Sequence, residues 1–228
     1  MQPKFSRLEK LIGKSGLDKL KYSSVLILGC GGVGGYAAEG LARSNIGTLI
    51  LVDYDVIDES NINRQIIALS STVGRLKVDV LEERIMDINN NCKVIKISEF
   101  IDNANLEKLF EYKPDFIVDA CDTISTKKRL IEECLLRKIK FISSMGTGNK
   151  FDPSKLSIVD IRKTVNDPLA RIIRKFIKDK NIKDKIMVLS STEIPVKTGD
   201  RTPGSTAFVP ASAGLLIASY VIDKIINK

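Results

Sequence analysis

Histidine and tryptophan are absent from this 228-residue chain, and only four cysteines occur. Without histidine there can be no histidine-dependent triad, imidazole proton shuttle or histidine metal cluster. Cys30, Cys92, Cys121 and Cys134 are too widely spaced to form the Cys-x-x-Cys pairs of a tetrahedral thiolate site, so no zinc is expected. Sparse, unpaired thiols and a start without a charged-then-apolar leader suit a reducing cytoplasm. Aromatic residues make up only 6% of the chain, and no aromatic signature of a separate RNA-binding module stands out. Internal repeats and low-complexity linkers are also missing.

What is present is apolar sequence in short runs. At 43% hydrophobic content, one large α/β domain with a sizeable core is expected. Strands are predicted near 25–29, 48–53, 93–98, 115–119 and 140–145, alternating with helical stretches, which argues for a doubly wound, largely parallel Rossmann-like sheet. After Gly148 the pattern is less regular: a strand over Leu156–Ile161, a basic helix, a short strand over Met187–Ser190 and a loop through Pro203-Gly204. The final segment, Phe208 to Ile226, is apolar around much of its circumference. It is too short and serine-broken for a confident membrane span and reads as a buried or dimer-interface helix, with peripheral membrane association left open.

The most informative stretch is Gly29-Cys-Gly31-Gly32-Val-Gly34. It follows the apolar run Val25–Leu28 and opens an alanine- and leucine-rich helix, so glycines 29, 31 and 34 fit a G-x-G-x-x-G phosphate turn. Unpaired N–H groups at the helix start would face an anion. Asp53, ending the second strand, stands where an acid commonly meets a ribose hydroxyl. Beyond it come Arg64, Gln65, Lys77 in Gly74-Arg-Leu-Lys77, and Asp122 after the strand Phe116–Val118. A hydride-transferring enzyme needs no such cluster of cations. Attack on the α-phosphate of ATP does, because charge develops at phosphorus and fixed cations with Mg²⁺ stabilise it. Ordinary readings compete: Lys77 on a solvated helix face, Asp122 capping the helix that begins near Ile124, Asp119 as a rival metal ligand.

Together Gly29–Gly34, Asp53-x-Asp55, Ser60-Asn61-Ile-Asn63-Arg64-Gln65, Gly74-x-x-Lys77 and Asp119-x-x-Asp122 resemble the ATP-dependent adenylating superfamily of ubiquitin-activating enzymes and bacterial sulfur-carrier adenylyltransferases, ThiF-like proteins. The resemblance implies one adenylation domain over 1–228. N-terminal helices would occupy 1–22, the nucleotide-binding part 23–148, and a substrate-covering and dimer part 149–228. It implies ATP on Gly29, Gly31, Gly32, Gly34, Asp55, Asn61 and Gln65, Asp53 at the ribose, Arg64 and Lys77 at the phosphates, and Asp122 on Mg²⁺. It also implies an arginine supplied by the partner of a homodimer, for which Arg7 is the candidate.

Within that superfamily, no cysteine follows Cys134, which disfavours transfer through a late thioester. An adenylate captured by a nucleophile already in the substrate needs none. The later strings Lys127, Gly146-Thr-Gly148, Asp152-Pro153, Lys163-Thr164-Val-x-Asp167-Pro168-Leu169-Ala170 and Ser191-Thr192-Glu193 are similar to the tRNA threonylcarbamoyladenosine dehydratase branch, which implies a tRNA substrate. Adenylation of a small sulfur-carrier protein, with a sulfur-relay partner, is the alternative. A non-catalytic nucleotide- or RNA-binding subunit is the second. Charge points to a polyanion: the net charge is +8, and Arg162 to Lys185 holds nine basic residues against three aspartates. Arg171, Arg174, Lys175 and Lys178 are expected to share one helix face, as a phosphate contact or merely a solvated surface.

Overall fold

A computed structural model describes residues 3–199 and 202–227. In chain order the elements are α1 (Ser6–Lys21), β1 (Ser24–Leu28), α2 (Gly34–Ala42), β2 (Thr48–Val52), α3 (Lys77–Ile88), β3 (Lys93–Ile97) and α4 (Lys108–Glu111). There follow β4 (Phe116–Asp119), α5 (Ile124–Arg137), β5 (Lys140–Ser144), β6 (Leu156–Asp160), α6 (Pro168–Asp179), β7 (Met187–Ser191) and α7 (Phe208–Ile226). The predicted strands and principal helices therefore form. The short α4 carried no periodic signal.

The strands make one sheet in the order β3-β2-β1-β4-β5-β7-β6. All neighbours are parallel except the edge strand β6, which runs antiparallel to β7. Because successive side chains alternate faces, Val25, Ile27, Leu49 and Leu51 join one core with α2 and α7, while Leu26, Leu28, Ile50 and Val52 join another with Leu130 and Cys134 of α5. Central strands buried on both faces must be apolar throughout, which explains the unbroken run Val25–Leu28. A third cluster seats Ala170, Ile173 and Ile177 of α6 on Met145, Ile161 and Val188.

Two close approaches of backbone fix the start of α2. A Cβ on Gly34 would lie 1.7 Å from the Gly29 carbonyl oxygen, so the first turn of α2 can sit on the end of β1 only without a side chain. A Cβ on Gly214 would lie 2.3 Å from the Val33 carbonyl oxygen, so α7 presses on α2 at the same place. By length and composition α7 could cross a membrane. Here its Val209, Ala213, Ile217 and Val221 are buried, while Phe208, Leu215 and Leu216 remain exposed.

Gly34→Ala is expected to lower stability by about 3 kcal/mol, the upper range for overpacking a tight site. Urea unfolding measures it; a midpoint equal to wild type would mean that the Gly29 turn yields freely.

Candidate active site

Parallel strands leave their carboxyl ends along one edge, and the order reversal between β1 and β4 opens a crevice there. A cavity of about 330 Å³ occupies it, lined by Gly29, Gly31, Gly32, Asp53, Asp55, Asn61, Arg64, Gln65, Lys77 and Asp122. Thus residues far apart in sequence converge. Gly29, at φ 90°, turns the chain out of β1. A Cβ on Gly31 would meet only the Gln65 side chain, at 3.6 Å from its Nε2, so this glycine faces open space.

Asp53 closes the loop from below: its Oδ2 accepts the Cys30 N–H at 2.7 Å and its Oδ1 the Asp55 N–H at 2.9 Å. Burial raises its pKa above the ordinary carboxylate value, opposed by the charge of Lys77 and by these backbone bonds. Lys77 is the first residue of α3, with its side chain 7% exposed and its ammonium 2.6 Å from Asp55 Oδ2. The solvated-face alternative therefore fails. Arg64 donates to the Ser60 carbonyl at 2.7 Å and to Asn63 Oδ1 at 2.8 Å. Asn61 is occupied locally as well, its Oδ1 accepting the Asp58 N–H at 3.2 Å in a capping box.

Two observations suit a polar ligand. Gln65 Oε1 is buried without a hydrogen-bond partner although Gln65 lines the cavity, and such an atom is costly unless something else satisfies it. Asp122 stands exposed at the rim and, among the described residues, makes no hydrogen bond or ion pair. It does not cap α5, since Thr123 holds that position. An exposed carboxylate in the same cavity as Arg64, Lys77 and the glycine turn suits a nucleotide phosphate chain with its Mg²⁺.

Asp119 is no rival metal ligand. It is wholly buried, its Oδ1 accepting Lys127 Nζ at 3.0 Å and its Oδ2 the Ser143 hydroxyl at 2.6 Å. Lys127 also donates to the Ser144 carbonyl at 3.0 Å. Arg7, exposed on α1, does not line the cavity. Sequence reasoning passed over Tyr54 and Phe100, which line it as an edge-to-face pair with ring centroids 5.0 Å apart. Their exposure is what distinguishes them, and sequence does not carry that. Cys121 lines it too, but burial, followed by the Asp119 charge, pushes its thiol pKa far up, away from thiolate chemistry.

Fold and site together define a nucleotide-binding α/β protein with cations and a free carboxylate grouped beside a glycine turn. The chain belongs to the ThiF family, matching it over residues 5–228. It is 44% identical to the tRNA threonylcarbamoyladenosine dehydratase of Bacillus subtilis (strain 168), covering 97% of this chain and 94% of that protein. The Escherichia coli tRNA N6-threonylcarbamoyladenosine dehydratase in complex with AMP superposes with a TM-score of 0.93 at 32% identity, covering 98% of this chain and 94% of that one. The same E. coli enzyme in complex with ATP gives a TM-score of 0.93 at 33% identity, over the same shares of both chains.

Lys127→Met strands the Asp119 charge in the interior and is expected to cost about 3–5 kcal/mol. Adding Asp119→Leu should recover much of that loss in urea unfolding, and a double variant no better than the single one would contradict the pairing. Cys121→Ala should keep full turnover, because its thiol is held protonated; loss of activity with an intact fold would restore a covalent role.

Proposed function

We propose that this chain is an ATP-dependent tRNA threonylcarbamoyladenosine dehydratase that acts through an acyl-adenylate. The observation that carries the reading is the convergence of the glycine turn, Arg64, Lys77 and Asp122 on one cavity whose single thiol, Cys121, donates to the buried Asp119. The likeness to dehydratases over nearly the whole chain supplies the substrate.

The carboxylate of the threonylcarbamoyl group attacks the α-phosphorus of ATP, forming an O–P bond while the bond to pyrophosphate breaks. Within that acyl-adenylate, a nucleophilic atom of the same modified base attacks the activated carbonyl carbon. The acyl–O bond breaks, AMP leaves with the electron pair, the nucleophile's proton passes to solvent, and the ring closes with net loss of water. Glycine-turn N–H groups hold phosphate oxygens, Asp53 meets the ribose, and Gln65 Oε1 gains the donor it lacks. Arg64 and Lys77 stabilise the charge that develops at phosphorus. Mg²⁺ on Asp122 would supply further positive charge to the phosphates. Tyr54 and Phe100 offer a flat wall for the adenine or the modified base.

The homodimer belongs to this proposal. Leu11 of α1 and Phe208, Leu215 and Leu216 of α7 are exposed apolar side chains that a second copy would cover. In such a dimer Arg7 would complete the partner's site.

Asp122→Ala should lower dehydration roughly 10²–10³-fold with the fold intact, as loss of a main electrostatic group does. Mass spectrometry of digested tRNA, after incubation with ATP and Mg²⁺, reads the loss of one water from the modified nucleoside. If tRNA keeps its mass while a sulfur-carrier protein drives pyrophosphate exchange, carrier adenylation replaces the present reading. Mixing Arg7→Ala with Asp122→Ala protein should restore part of the activity if Arg7 serves the partner, and no recovery would place its role elsewhere.

A further inference from the structure

The basic helix α6 is not used by the nucleotide site, yet it begins beside it. Strand registers place Leu28 level with Asp119 and Asp119 level with Ser143, so the turns after β1, β4 and β5 share the active edge. Just past β5, the Gly146 N–H donates to Asp167 Oδ2 at 2.9 Å. The other oxygen of Asp167 accepts the Ala170 N–H at 2.9 Å and caps α6. From that fixed start the helix descends the flank of the sheet, and its far end leads into β7, which starts opposite the end of β6.

Seven of the nine basic residues between Arg162 and Lys185 fall into two sets. Arg162 pairs with Asp160, Lys180 pairs with Glu132, and Arg174 is turned onto the Thr164 carbonyl at 2.8 Å. Arg174 thus leaves the expected outward row and braces the strand-to-helix connection. Arg171, Lys175, Lys178 and Lys183 are exposed or line a groove, and among the described residues they join no ion pair. Arg171, Lys175 and Lys178 lie at i, i+4 and i+7, one narrow stripe about 10 Å long. Lys178 and Lys183, together with the internally bonded Arg162 and Arg174, also border a concave groove of about 570 Å³ at the end of α6. The only acid in α6 is Asp179, in its last position. Unpaired cations in a row serve neither packing nor local neutralisation, and repel one another unless a polyanion lies along them.

We propose that this stripe and groove form the docking track for the phosphate backbone of the tRNA, leading from the base held at the active edge down the flank of the enzyme. The inference rests on the dehydratase reading, which supplies the RNA. The track positions the substrate without touching the reacting atoms, so it contributes through tRNA binding alone.

Lys175→Glu/Lys178→Glu in the full chain tests it. KM for modified tRNA should rise roughly 10- to 100-fold at physiological salt, and the salt dependence of tRNA affinity should flatten by about two ions. kcat at saturating tRNA and KM for ATP should stay at wild-type values, and Lys175→Arg/Lys178→Arg should behave as wild type. Unchanged KM and unchanged salt dependence in the Glu variant would overturn the track. So would a fall in kcat or a rise in KM for ATP without an effect on tRNA. Binding of unmodified tRNA, measured by filter retention on the same proteins, needs no chemistry. If wild type binds RNA through these lysines yet dehydrates nothing, the reaction assignment falls and the track stands. If wild type dehydrates tRNA and the Glu variant does so equally well, the track falls and the reaction stands.

Discussion

Lys127 and Asp119 form an ion pair with no access to water, and the active edge is organised around it. Removing two charges from water is costly, so such a pair persists only when its remaining valences are filled. Here they are: the lysine reaches across to Ser143 and Ser144 of β5, and the aspartate takes the Ser143 hydroxyl and the Cys121 N–H. One contact thereby joins β4, β5, α5 and the turn that presents Asp122. It is a scaffold made of residues that, on paper, belong with the chemistry.

On the other side of the crevice the same logic is applied with less burial. Asp53 ties the glycine turn to the end of β2, and the Lys77–Asp55 pair ties the start of α3 to the segment after β2. Asp55 is partly exposed while the Lys77 side chain is nearly buried, so the ammonium is fixed at the cavity wall. Gln65 adds a buried acceptor left open, and Asp122 a carboxylate left free. The site thus combines groups fixed by their neighbours with one buried acceptor that lacks a donor and one solvent-facing carboxylate.

A division of labour runs along the sheet. The β1–β2–β4 end carries the glycine-turn cavity, while β5, β6, β7 and α6 build a flank on which Arg171, Lys175 and Lys178 stay unpaired among the described residues. The Asp167 cap joins the two, since it bonds Gly146 at the active edge and starts α6 in the same stroke. The exposed apolar side chains of α1 and α7 form a further surface, separate in chemistry from the basic one.

Much of this was legible in the chain itself. Unbroken apolar runs at Val25–Leu28 and Leu49–Val52, alternating with helical stretches, pointed to a parallel sheet buried on both faces, because such strands must be covered on each side. The spacing of Gly29, Gly31 and Gly34 determined the turn, since Gly34 leaves no room for a Cβ. The absence of histidine excluded imidazole chemistry, and the absence of late cysteines disfavoured transfer through a thioester. Tertiary structure alone decided that Asp119 is sealed against Lys127 while Asp122, three positions on, stays exposed, because burial and partners are not written in spacing. It decided likewise that Lys77 is buried, that Arg174 braces Thr164 while Lys175 and Lys178 stay free, and that Tyr54 meets Phe100. In each case the deciding quantity is a distance between elements remote in sequence, and that distance exists only once the sheet has formed.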